Sequence, residues 1–188
     1  MNDTVKWTGR LIVEKFDEDQ TAAALARTGL TAPTGDDFAA LGMAPREVVE
    51  SGPNLITTAG LGRLASLLIG TGQAATNTSA RIGVGNSSTV ASAGQTDLQA
   101  ASGSSNRWFQ VMDASYPQVS GAVVTFRATF GTSDGNFAWA EWGIDIGTPT
   151  VSSGATVSAT LLNRKVASNG TKTAGATWVA TAPITFSG

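Results

Sequence analysis

AVVTFRATFGTSDGNFAWAEWGIDIG, residues 122–147, is the stretch on which the fold turns. Its first part alternates: Val124, Phe126, Ala128 and Phe130 fall on one side, and Thr125, Arg127 and Thr129 on the other. A period of two is the signature of a half-buried strand. TSDGN follows, with the Asp-Gly pair favoured in tight hairpins, and then NFAWAEWGIDIG as a second strand. The expectation is a β-hairpin. In its second strand Trp139 shares a side with Phe137, whereas Trp142 falls with Ile144 and Ile146. That swap of sides marks either a strand buried on both faces or one aromatic face left exposed.

Working outward, the C-terminal segment places Trp178, Ala180, Ala182, Ile184 and Phe186 on one side of a last strand. Pro183 lacks an amide donor and predicts an edge position or a bulge there. Further strands are expected at about 80–84, 106–114 and 156–167. Upstream, Leu61, Leu64, Ala65 and Leu68 recur at i, i+3, i+4, i+7 and predict a helix at about 57–69 with one apolar face. At least six strands with Gly/Ser-rich turns and one short helix predict a mainly β chain. Its expected architecture is an antiparallel β-sandwich, jelly-roll-like, over residues 51–188.

Residues 1–50 read differently, as an N-terminal extended and helical arm. VKWTGRLIVEKF is a strand or an extended segment. DEDQTAAALARTG is a short helix, capped by Asp17 or Asp19 and stopped by Gly29. GDDFAALG, between Pro33 and Pro45, gives one more helical turn.

Composition limits the chemistry. A chain of 188 residues is long enough to bury roughly 70% of its unfolded surface. It contains no cysteine, which removes disulfides, thiolate metal sites and thiol nucleophiles. It contains no histidine either, which removes Ser–His catalysis and the usual zinc sites. Charged residues make up only 14%, against a typical ~25%, and net charge is −2. Such a surface belongs to polar uncharged strand faces or to a subunit buried against partners. The basic residues form no stripe that would follow a phosphate backbone, so nucleic acid is not an expected partner. MNDTVKWTGR lacks the apolar core and cleavage site of a signal peptide, and LASLLIG is far short of the ~20 residues that span a bilayer, so no membrane is expected.

The chemical motifs are weak. Gly83 and Gly85 in RIGVGNSSTV suggest a phosphate loop, but Ser88 stands where a dinucleotide fingerprint needs its third glycine and no helical face follows. They read as a turn. A calcium loop beginning at Asp17 would need Gly and Glu where Ala22 and Thr28 stand. Glu141 and Asp145 share a strand face but lie about 13 Å apart, too far for a glycosidase pair. No catalytic residue, metal or cofactor is expected. An exposed Trp142 or Tyr116 would suit a partner pocket or a sugar ring.

The order of segments nonetheless has a likeness. NLITTAGLGRLASLLIG, ARIGVGNSS with QTDLQ, MDASYPQVSGAVVTFRATFGTSDGNFAWAEWGI, LLNRKV and GTKTAGATWVATAPITFS resemble small virion structural proteins of tailed bacteriophages, especially those infecting actinobacteria. The likeness covers about Val48 to the C-terminus, and more loosely KWTGRLIVEKFDEDQ. IGTPTVSSGATVSATL is longer and richer in Ser and Thr than that pattern. What the resemblance implies is a non-enzymatic capsid decoration (cement) protein. It would be assembled in the host cytoplasm and sit on the capsid exterior. Its partners would be the major capsid protein and further copies of itself, as a homotrimer. Trp7, Leu11, Val13 and Phe16 would be the arm's contacts. The alternatives are a tail, fibre or baseplate subunit, or a glycan-binding host-adhesion module.

Overall fold

The computed structural model describes residues 6–146, 150–152, 155–158 and 160–188. The first five residues of the expected arm, and part of the IGTPTVSSGATVSATL segment, lie outside them.

The chain is mainly β, with two antiparallel sheets packed face to face. In chain order the elements begin with β1 (Lys6–Gly9), β2 (Leu11–Phe16), α1 (Glu18–Thr28), α2 (Gly35–Ala40), β3 (Glu47–Ser51) and β4 (Leu55–Ile56). Then come α3 (Thr58–Leu68), β5 (Arg81–Gly85), β6 (Arg107–Val111), β7 (Gln118–Ser120), β8 (Val123–Phe130) and β9 (Glu141–Asp145). The last are β10 (Thr150–Ser152), β11 (Ala155–Ser158), β12 (Leu161–Val166) and β13 (Thr177–Ser187).

One sheet runs β3-β2-β13-β8-β7, with β1 also paired to β13, and the other runs β4-β12-β9-β5-β6. β10 and β11 pair with each other. The core lies between the two sheets. Leu11 and Val13, with Phe126, Ala128 and Phe130, Ala180, Ala182 and Ile184, meet Ile82, Val84, Trp142 and Ile144 from the opposite sheet. Alternation puts one face of β2, β5, β8, β9 and β13 into this layer, as the period of two requires.

Residues 6–50 are not an arm. β2 hydrogen-bonds on both sides, to β13 and to β3, and Leu11 and Val13 expose nothing to solvent. A strand paired on both edges and buried on one face is structural core, so a division at residue 50 does not describe the molecule. α1 and α2 pack outside that sheet, where the Phe16 and Phe38 rings stack with centroids 3.9 Å apart. The caps fall where the sequence places them. Asp17 accepts from the Gln20 amide at 2.8 Å, and Gly29 ends α1 at φ 69°, in the left-handed region that favours glycine.

The expected hairpin does not form. β8 and β9 belong to different sheets, so residues 131–140 cross between them. The turn itself is present, with the Asp134 amide bonded to the Gly131 carbonyl and Gly135 at φ 62°. Its continuation is captured by residues 169–172. The Trp139 amide donates to the Gly170 carbonyl at 2.8 Å, Ala138 bridges Thr171, and Lys172 Nζ donates to the Gly131 carbonyl at 2.7 Å.

Pro183 does not mark an edge, because β13 is central. Its β2 ladder stops at Thr181 and its β1 ladder resumes at Ile184. The proline falls in that interruption, where an amide donor is least needed.

Gly83 and Gly85 are likewise not in a turn. They lie within β5, between β9 and β6, and face the outer side of the sheet. A Cβ on Gly83 would run into the Phe109 ring, and one on Gly85 into the Glu141 side chain.

Candidate docking surface

α3 shows how local sequence and distant packing combine. Thr57 caps it, accepting from the Gly60 amide at 2.8 Å while its hydroxyl donates to the Leu161 carbonyl. Gly60 then lies directly on β12, since any Cβ there would strike the Leu162 backbone. That close approach fixes the helix rotation. Gly60, Leu64 and Leu67, spaced i, i+4, i+7, turn toward the core.

The expected apolar face of Leu61, Leu64, Ala65 and Leu68 is therefore mostly the outer one. Leu61 is 53% exposed and Leu68 88%, and Ala65 is exposed between them. Ile69, at the C-cap, is 76% exposed. Arg63 is the helix's only charged residue, and its guanidinium turns back to the Ile146 carbonyl at 2.8 Å. The outward stripe thus carries no charge. A helix apolar on every side is normally buried, and contiguous exposed apolar surface marks an interaction site.

Against this, the contact residues expected from sequence are occupied within their own chain. Leu11, Val13 and Phe16 are buried in the sandwich and in the α1–α2 cluster, so they cannot reach a neighbouring subunit. Trp7 is half-buried, edge-on to Phe186 at 5.0 Å, with its indole N–H donated to Asn54 Oδ1 at 3.1 Å. Trp142 is not exposed at all. It lies between the sheets and donates to Ser51 Oγ at 3.0 Å, which removes it as a glycan platform. Tyr116 is half-buried beneath the Arg127 guanidinium, 4.4 Å from its ring centroid. The Arg127 charge is pulled down by burial but held more strongly by the Asp36 and Asp113 carboxylates, at 2.7 and 2.8 Å.

The strongest electrostatic feature went unread in the sequence. Glu141 and Arg164, both without solvent exposure, form an ion pair on the outer face of the β9–β12 ladder, 2.6 Å apart. Glu141 also accepts from the Gln99 and Ala100 amides at 3.1 and 2.7 Å. Arg164 also donates to Gln95 Oε1 and to the Thr89 carbonyl, each at 2.8 Å. Arg107 pairs with Asp97 at 2.8 Å. All these partners belong to the long connection between β5 and β6, which contains no helix or strand. The pair is a clamp that presses that loop onto the sheet, and the oxygens of Glu141 are already engaged by protein donors. Charged residues inside the apolar runs AWAEWGI and LLNRKV, facing in-strand glycines 83, 85 and 143, are the signal that would have found it.

The loop also meets α3, because the Thr58 amide donates to the Ala93 carbonyl at 2.8 Å. The helix is thereby fixed at its N-terminal end by β12 and the loop together, and its outer stripe is presented from a rigid base.

Among the described residues, no group of three or more acidic side chains is arranged to hold a metal ion, and no helix is long and apolar enough to cross a membrane. No family model, curated protein or solved structure matches this chain.

Proposed function

We propose that this chain is a non-enzymatic structural protein of a tailed-bacteriophage virion, and that it decorates the capsid. The observation that carries the reading is the uncharged outer stripe of α3, with Leu61, Ala65, Leu68 and Ile69 held out to solvent on a rigid base. Burying a leucine or isoleucine side chain gains up to about 1.5–3 kcal/mol, most of it still available at Leu68 and Ile69 and less at the half-exposed Leu61, and a partner surface would supply that burial. The resemblance of the segments from Val48 onward to small phage virion proteins names the class of assembly. The scarcity of charge, 14% of residues, fits a subunit that meets neighbours on several sides.

In this reading the sandwich sits on the capsid exterior over junctions of the major capsid protein, as a homotrimer assembled in the host cytoplasm. The contact is made by α3, not by the N-terminal segment. Many copies on a lattice sum weak contacts into firm attachment. The test is a copy count of the chain by quantitative mass spectrometry in separately purified heads and tails. A simple ratio to the major capsid protein in heads supports decoration. A few copies present only with tails would instead make it a tail, fibre or baseplate subunit.

A further inference from the structure

The sandwich does not close completely beneath α3. Between the inner face of that helix and strands β1, β8 and β13 lies a cavity of about 150 Å³. Every residue lining it is apolar, among them Trp7, Leu64, Leu67, Phe126, Ile184 and Phe186. Phe126 and Ile184 are buried, whereas Trp7, Leu64, Leu67 and Phe186 are partly exposed, so the cavity is reached from the side of α3.

Its walls are held apart by contacts made elsewhere. Trp7 is fixed by its hydrogen bond to Asn54 and by its edge-on contact with Phe186, 5.0 Å between centroids at 86°. α3 is fixed by Gly60 on the Leu162 backbone and by Arg63 on the Ile146 carbonyl. Neither wall can slide inward without breaking a polar contact. The cavity is partly open, but a wall with no exposed polar group gives a water molecule there no protein partner, so water is held weakly and the lining lacks dispersion partners on one side. Apolar cavities of roughly this volume in protein interiors take up benzene or xenon.

We propose that this cavity is a binding site for a small apolar molecule about the size of a benzene ring. The site is independent of the assembly role, because it lies on the inner side of α3 and the docking stripe on the outer side.

The test is a titration of benzene, and separately of xenon, into the purified full chain. It is followed by NMR at the Trp7 indole N–H and the Leu64 and Leu67 methyls. Saturable shifts confined to these signals are expected. The filled variants Ala75→Leu and Val124→Ile, which add methyl groups to the lining, should weaken binding at least tenfold in the first and measurably in the second. The milder variant keeps the comparison valid if the larger one folds poorly. No saturable shift in the wild-type chain up to benzene saturation, or shifts retained unchanged in the filled variant that folds, would overturn the proposal.

Discussion

Arg164 Nη2 lies 2.6 Å from Glu141 Oε2, and neither side chain exposes any surface to solvent. The two residues stand on adjacent strands of one sheet, and their other side-chain hydrogen bonds go to the loop that begins after β5. Removing one partner leaves the other charge buried and alone, which costs about 3–5 kcal/mol, whereas replacing both with apolar groups of similar volume is often near neutral.

Glu141→Gln and Arg164→Met should therefore each destabilise the chain by roughly 3–5 kcal/mol in urea unfolding. The double variant Glu141→Leu/Arg164→Met should cost clearly less than the sum. Limited proteolysis should cut between residues 86 and 106 faster in both single variants. Additive losses, with no change in cleavage, would show that the pair does not hold the loop.

Gly60 and Gly62, two residues and about 3 Å of helix rise apart, should respond oppositely to the same change. Gly60→Ala drives a methyl group into the Leu162 backbone and should destabilise by about 1–3 kcal/mol. Gly62→Ala meets nothing within 4 Å and should stabilise by up to about 1 kcal/mol through helix propensity. Thermal melts of the two variants side by side are sufficient to decide it.

Leu68→Lys places a charge at the most exposed apolar position of α3. Its stability should change by less than about 0.5 kcal/mol, because the side chain is 88% exposed. Its incorporation into particles, measured against wild-type chain expressed in the same cells, should fall severalfold. Equal incorporation would remove α3 from the contact.

Lys172 gives a pH dependence with a definite sign. Burial pulls its ammonium down from 10.5 to about 8, with Asp134 opposing, while Nζ donates to the Gly131 carbonyl and Asn136 Oδ1. Between about pH 8 and 10.5 the unfolded chain binds more protons at this group than the folded one, so stability rises with pH across that window. The gain is on the order of 1–2 kcal/mol after allowance for solvent screening. Urea midpoints of wild type and Lys172→Met from pH 7 to 10.5 should diverge, with the rise absent from the variant.

The features legible in the sequence are those decided within a few residues. Asp17 and Gly29 bound α1 because capping needs only neighbouring amides, and β13 shows its alternation because one face meets the core along its whole length. What escaped is decided by residues far along the chain. The Asp134-Gly135 turn promised a hairpin, but residues 169–172 capture the segment that follows it. Periodicity found the apolar residues of α3 without saying which side faces in, because Leu162, about a hundred positions later, sets the rotation through Gly60. β2 read as an arm because its partner β13 lies at the other end of the chain. Trp142 read as an exposed candidate because nothing local reveals that Ser51 and the opposite sheet enclose it.

In the proposed assembly α3 meets a partner through its outer stripe inside the virion. Hydroxyl-radical footprinting of the free chain and of intact particles tests it most directly, read by mass spectrometry at Leu61, Leu68 and Ile69. All three should label strongly in the free chain and lose that labelling in the particle, with Val90, 82% exposed on the β5–β6 loop, as the comparison site. Equal labelling of Leu61, Leu68 and Ile69 in both states would contradict it.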